Sequence, residues 1–486
     1  MATRRTTTID ALPTELLAHV FGLFDGRAPS ESQLHDQPET DMLKRPDEID
    51  LKNISAVSKL WRAIALPMLF RHVVWNLDPY RLRAEPAGVA DPIDAIPLLA
   101  FLRTNDLGRY VCSLTMLVRN RLLPSLDLRM LGSGPQSPGA TAPHLDPDAE
   151  PSRGRSLHSI ASLDATYDQD NNWLWDGLFG VMDPLRLTII ASPQMLASLL
   201  SCMLFVGDAD VFSKRQMLHI LSLSRLSRSA KADPKAPGPS PSEPPSRRTN
   251  SACGERRRKP SALFTIRPWT HLVLNEGSSI RVYKNYEFFL RRPPSILGAL
   301  LGSEEPPNDV VLIPPTITSL SYIAIFPLSP HFSVLVSNLP RIEHLFVQLV
   351  PRNDVLLDPD EMRHVHASDL WMERNTCYGL AAGHTSHPRR PAAYNWRFLR
   401  VFESGDAADT EAWELAVEYL QVARTRWRVE RDGLLVKGPE PGPEESHAAA
   451  TDGAESDESG LDALDGDDHA TETEILSVPP ESFSPW

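Results

Sequence analysis

Cysteine is scarce: Cys112, Cys202, Cys253 and Cys377 stand singly along 486 residues. None is paired at zinc-ligand spacing and none belongs to a disulfide framework, which excludes a small cross-linked secreted fold and points to a reducing compartment. The chain opens MATRRTTTIDALPTELL, with no apolar core leading to a small-residue cleavage site, so no secretory signal is read there. An unbroken membrane span is missing as well. Residues 187–207 carry no charge and are long enough to cross a bilayer. Ser192-Pro193-Gln194 interrupts them, and a serine before a proline reads as a helix start. A buried strand over Leu185–Ile190 and a helix over Gln194–Leu204 account for the same residues.

Lys and Arg are absent from 438–486, where fourteen Asp and Glu supply the whole formal charge of −14. Residues 1–437 are therefore close to neutral, and a nucleic-acid binder, which would show a clustered basic face, is not expected. Phosphate-binding glycine loops, a GxSxG elbow and an HExxH helix are also missing. Gly132-Ser-Gly134 has no third glycine at the right spacing. Glu361, His364, His366, His384 and His387 could ligate a metal in principle, but they lie in polar, loop-like sequence without a paired catalytic acid. No metal, cofactor or catalytic residue is expected.

Proline, in contrast, is abundant: 44 residues, about twice the usual share of roughly 5%. It concentrates in stretches too poor in apolar residues to offset the entropy of ordering, namely 131–156, 228–261 and the acidic tail 438–486. The second holds Arg247-Arg248 and Arg256–Lys259, either a nuclear import signal or a solvated charge cluster. Trp173 and Trp175, beside Asp168, Asp170 and Asp176, read as an exposed contact site or as core packing.

Between these stretches lie runs with strand character: Tyr110–Val118, Leu185–Ile190, Thr270–Leu274, Ile317–Ile325, Ile342–Leu349 and Trp396–Phe402. A helix over Ile96–Arg103 precedes the first. The clearest unit is 317–349, a strand, then Ser329-Pro330 and a short apolar helix (Phe332, Leu335, Val336, Leu339), then a strand after Pro340. Leu320 and Leu345 are 25 residues apart, within the range of leucine-rich repeats. Residues 185–204 begin with the same strand, Ser-Pro and helix. Such units predict right-handed parallel crossovers and, stacked, a curved solenoid. An ordinary α/β domain is the alternative.

The strongest signal lies in 9–76. Pro13 suits a first helical turn and Glu15 complements the helix dipole there. Leu16, Leu17, Val20, Phe21 and Phe24 follow as one apolar stripe. After a polar insert (25–48), Asp50 reads as an N-cap for a helix carrying Leu51, Ile54, Val57, Trp61 and Ile64, with a break or new start at Pro67.

Leu12-Pro13-x-Glu15-Leu16-Leu17 with Val57-Ser58-x-x-Trp61-Arg62 closely resembles an F-box, and Leu66-Pro67-x-Leu69-Phe70-Arg71 is similar to that family's run-out. The resemblance implies three helices that dock on a Skp-type adaptor, which joins a cullin–RING ubiquitin ligase. It implies that Leu12, Pro13, Leu16, Leu17, Val20, Phe21, Val57 and Trp61 carry the docking, while a C-terminal region selects a protein substrate. One departure stands out: the link before Asp50 is about twenty residues longer than the family's short one. A flexible loop costs little, so the helices can still meet, but a long one could overhang the docking face.

The expected fold is α+β. A small three-helix F-box-like module (9–76) precedes an α/β leucine-rich-repeat-like solenoid, with disordered linkers and an acidic tail. The solenoid comprises 77–130, 157–227 and 262–437, separated by 131–156 and 228–261. The expected function is that of a substrate adaptor acting in the cytoplasm or nucleus. No enzymatic activity is expected, and neither membrane nor nucleic acid is expected as a partner. The alternative is an F-box-like scaffold acting outside ubiquitination, or a helical subdomain packed on its own chain.

Overall fold

A computed structural model of the chain describes residues 9, 12–38, 48–77, 96–118, 171–204, 218–228, 261–277, 295–324, 329–349, 359, 366–386, 391–406, 413–414, 416–418 and 427–438. The chain divides into two units, 1–438 and 439–486, and the second lies outside the described residues. The expected linker 131–156 lies outside them too, as does 228–261 apart from its terminal Arg228 and Ser261.

Four helices open the chain: α1 (Thr14–Gly22), the single turn α2 (Pro29–Ser32), α3 (Glu48–Val57) and α4 (Lys59–Leu69). Asp50 is not a cap, since α3 already begins at Glu48. Instead Ser58 breaks the expected long helix and caps α4, its hydroxyl accepting from Trp61 N at 3.2 Å. Pro67 neither breaks nor starts a helix; it sits inside α4 two residues before the end and forgoes the bond its nitrogen would otherwise make to the Ala63 carbonyl. Phe70 N closes the last turn on the Leu66 carbonyl.

The remainder is a mixed α/β structure on one ten-stranded, mostly parallel sheet. Its strands are β1 (His72–Leu77), β2 (Ser113–Val118), β3 (Arg186–Ala191), β4 (His219–Ser224), β5 (His271–Asn275), β6 (Ser319–Ile323), β7 (His344–Gln348), β8 (Val401–Ser404), β9 (Trp427–Arg431) and β10 (Leu434–Lys437). From β1 to β8 each new strand lies beside the one before it in sequence, and β10 then β9 complete the row. β1 pairs along its whole length with β2, so the boundary expected at 76 falls inside the first strand of the sheet.

The connecting helices are α5 (Pro97–Thr104), α6 (Asn172–Val181), α7 (Pro193–Leu199), α8 (Leu297–Leu301), α9 (Ser329–Ser337) and α10 (Ala367–Ser386). Ser192 caps α7 by accepting from Met195 N, with Pro193 in the first turn, as its sequence predicts. α10 escapes sequence reading because its residues show no apolar stripe; among its described side chains only a short patch, Cys377, Tyr378 and Ala381, is buried in the core.

The unit around α9 behaves as expected: β6 and β7 are parallel, with Leu320 opposite Leu345. The unit around α7 does not. β4 is antiparallel to both β3 and β5, and His219 at its start faces Ala191 at the end of β3. Leaving α7, the chain returns to the end of the sheet it departed from, so no crossover forms. The strand expected over 396–402 is also displaced. Asn395 and the Trp396 indole bind the Leu339 and Val336 carbonyls, drawing 391–398 into a 3₁₀ turn against α9. Pairing begins only at Val401, beside β7.

Strand alternation assigns two faces. Leu114, Met116, Leu187, Ile189, Leu221, Leu223, Leu272, Leu274, Leu320, Tyr322, Leu345 and Val347 enter the main core with the helices. Trp175 is fully buried there, its indole donating to the Leu199 carbonyl, and Trp173 packs against the same core, so this pair serves packing.

Candidate functional site

Two regions have the character of a binding site: the outer side of the helical module and the sheet face opposite the connecting helices. The module is held by its own small core, in which Leu17, Phe21, Leu51 and Trp61 are buried together. The Phe21 and Trp61 rings meet at 5.0 Å. Adjacent residues of α1 therefore diverge. Leu17 is 0% exposed and Leu16 is 51% exposed.

The eight residues expected to carry docking divide in the same way. Leu17, Phe21 and Trp61 build the interior and are not available to a partner in this conformation. Leu16 and Val20 are exposed one turn apart on the outer side of α1, with Leu12 and Pro13 exposed just ahead of its start. Val57, 61% exposed, lies at the end of α3. Leu23, Phe24, Ile49 and Leu60 are further exposed large apolar residues of this module. Isolated exposed leucines are ordinary on a folded surface, but several on one small module are not.

The sheet face is occupied by the insert itself. Residues 28–38 do not overhang the helical module; they cross the strands. Gln33–Asp36 forms a turn, closed by Asp36 N donating to the Gln33 carbonyl. Leu34 packs on two apolar clusters, Leu117, Ile190, Leu218 and Ile220 on one side and Val273, Ile323 and Phe346 on the other. The His35 ring stacks on Phe346 at 4.4 Å and 22°. Asn275 Nδ2 donates to the Leu34 and Asp36 carbonyls, 2.8 Å each, and its Oδ1 accepts from Gly277 N. Gln348 Nε2 reaches the His35 carbonyl at 3.5 Å and Arg186 the Ser30 carbonyl at 3.1 Å. Gly277 holds φ +68°, and a Cβ there would come within 3.2 Å of Pro38, so glycine suits both the turn and the close approach.

Below this segment runs a polar row. His271 Nδ1 and Ser319 Oγ are 2.7 Å apart, Ser319 Oγ and His344 Nδ1 3.1 Å. Burial first, then the positive surroundings of His344, Arg186 and His35, push the His271 imidazole down to about 4.

A third cluster contains residue types used in catalysis but arranged otherwise. On the helix side Glu276 is fully buried and accepts from Ser295 on one carboxylate oxygen and from Tyr322 (2.7 Å) and His331 (2.9 Å) on the other. Burial alone would raise its pKa; His331 and the hydrogen bonds outweigh that and hold the carboxyl below the usual range. Serine and histidine both point at the carboxylate rather than at each other, so no base sits beside the hydroxyl. That hydroxyl instead accepts from Leu297 N at the start of α8. The arrangement fastens β5, β6, α8 and α9 together. Nearby His219 is completely buried and pushed down to about 4, chiefly by burial, and stays neutral.

Of the candidate metal ligands only His366 has a described side chain, and it is exposed. Among the described residues no group of three or more His, Cys, Asp or Glu could hold a metal ion. No described helix is long and apolar enough to cross a membrane.

The covered sheet face was not signalled by any motif. Its marks in the sequence are the polar last residues of HLVLN and HLFVQ, Asn275 and Gln348, and a lone leucine in the polar insert, Leu34. No family model, curated protein or solved structure matches the chain.

Proposed function

We propose that this protein is the substrate receptor of a Skp–cullin–F-box ubiquitin ligase. The helical module acts as an F-box that docks on a Skp-type adaptor, and through it on a cullin–RING ligase. The sheet, a degenerate leucine-rich-repeat-like solenoid in this reading, holds a protein substrate in the cytoplasm or nucleus. The receptor supplies no catalytic group. It acts by raising the effective concentration of a substrate lysine near the conjugating enzyme.

One observation carries the proposal: Leu16 and Val20 on the outer side of α1 and Leu12 just ahead of it stand exposed, in the segment whose Leu-Pro…Trp pattern resembles an F-box, while Leu17, Phe21 and Trp61 consolidate the module from within. The sequential strand order from β1 to β8 supports the solenoid reading.

Co-expression with a Skp-type adaptor tests it. Capture is expected with the wild-type chain and is expected to disappear in Leu16→Asp/Val20→Asp, which places two charges in the contact without touching the module's core. Capture unchanged by the double substitution removes this face from the account. Failure of the wild-type chain to retain any Skp-type adaptor removes the ligase reading.

A further inference from the structure

We infer that the sheet face opposite the helices is a recognition surface for a β-turn bearing an aliphatic residue followed by a planar ring. The chain's own Gln33–Asp36 turn is its resident, displaceable occupant.

The composition of the face is the first ground. Side chains that alternate away from a core on a water-facing sheet are normally polar. Here Leu117, Ile190, Ile220, Val273, Ile323 and Phe346 all point away from the main core, and each is buried. Leu34 is the side chain that packs on both of their clusters. An apolar path across six strands is thus bridged by one aliphatic residue at the tip of a turn.

The chemistry of the contacts is the second. Asn275 reads main-chain carbonyls, which any peptide of the same turn geometry presents equally well. Phe346 offers its ring to the His35 imidazole in a stacked contact that another flat ring would reproduce. Arg186 lies near the Glu31 carboxylate, which partly offsets the burial that pulls its pKa down.

The manner of attachment is the third. Hydrogen bonds from the Arg186, Asn275 and Gln348 side chains reach carbonyls of the segment, and Leu34 is only partly buried. The strands beneath, in contrast, are paired along both edges. Each link of this kind contributes modestly, while fixing a turn costs backbone entropy at every residue. Residence depends on the tether between α1 and α3, which supplies an effective concentration of about millimolar order. A free partner with the same turn and a better ring would displace it without unfolding the sheet.

A synthetic peptide of residues 28–38 is the probe, titrated into the full chain. The Leu34→Ser chain is expected to bind it roughly tenfold or more tighter than the wild type, because its own turn competes less. A peptide carrying Leu34→Ser is expected not to bind either protein. Equal affinity for both chains, or no uptake by a Leu34→Ser chain of unchanged thermal stability, overturns the inference and makes the segment a fixed part of the fold. Hydrogen exchange on the wild-type chain covers the case of a misfolded variant: Asp36 N–H should exchange at least tenfold faster than the amides of Leu272–Leu274, and equal protection likewise overturns the inference. Neither measurement involves an adaptor, so the result is independent of how the helical module docks.

Discussion

Phe21 on α1 and Trp61 on α4 meet with ring centroids 5.0 Å apart and planes inclined by 56°, the central contact of the N-terminal helices. An offset, tilted pair contributes beyond the area it buries. Phe21→Ala is expected to destabilise the module by about 3 kcal/mol, whereas Leu16→Ala, one turn earlier and half exposed, should change stability by no more than about 0.5 kcal/mol. Urea unfolding followed by Trp fluorescence separates the two. Similar losses at both positions would mean that Leu16 is covered within the chain, and the docking face would lose its basis.

Acid should destabilise the sheet in a definite window. His219 is pushed down from 6.5 to about 4 in the folded chain, and His271 likewise. A depressed pKa means that the unfolded state binds more protons, so stability is complete above pH 6.5 and falls as the pH drops toward 4. For His219 the total is on the order of 3 kcal/mol. The midpoint of denaturant unfolding, measured at half-unit steps from pH 7 to 4, should fall throughout this range. A flat profile would place both imidazoles in water.

Removing partners of Glu276 should produce unequal effects. Tyr322→Phe deletes one donor and leaves His331 on the same oxygen, a loss of about 1 kcal/mol. His331→Ala deprives a fully buried carboxylate of its facing imidazole, with an expected loss of about 3 kcal/mol or more. Thermal unfolding of the two variants should rank them in that order, and a reversal would show that burial of the tyrosine hydroxyl matters more than the charge.

Tryptic cleavage within Arg256–Lys259 should not separate the two parts of the sheet. β4 and β5 lie on either side of that site and pair directly, with Ile220 opposite Asn275 and Ser224 opposite His271. Nicked protein is expected to elute as one species in native buffer and as two fragments in denaturant. Separation in native buffer would mean that this central pairing is weak.

Strands such as β3, β6 and β7 are legible because they are covered on both faces and bounded by Ser-Pro or Leu-Pro punctuation, so each reads as a short apolar run. The reversal at β4 is not legible, since strand direction depends on where the chain re-enters the sheet, and RQMLHILSLS has no mark of it. In the helical module periodicity finds the apolar stripe of α1 but cannot divide it. Which of Leu16 and Leu17 faces inward depends on where α4 lies, a tertiary fact. The insert is the clearest failure. RAPSESQLHDQP is polar enough to read as a solvated loop, and its seat is formed by residues hundreds of positions later.

That separation bears on the order of events during synthesis. His35 and Gln348 are 313 residues apart, so at 5–20 residues per second the ribosome needs roughly 15–60 s after His35 to deliver Gln348. Until then α1 and α4 can pair, but the segment between α1 and α3 has only part of its seat, the Leu117 cluster and Arg186. Its complete seating requires the strands through β7, and a truncated product ending before Asn275 would keep the Arg186 contact and the Leu117 cluster but lose the two Asn275 bonds and the Phe346 stack.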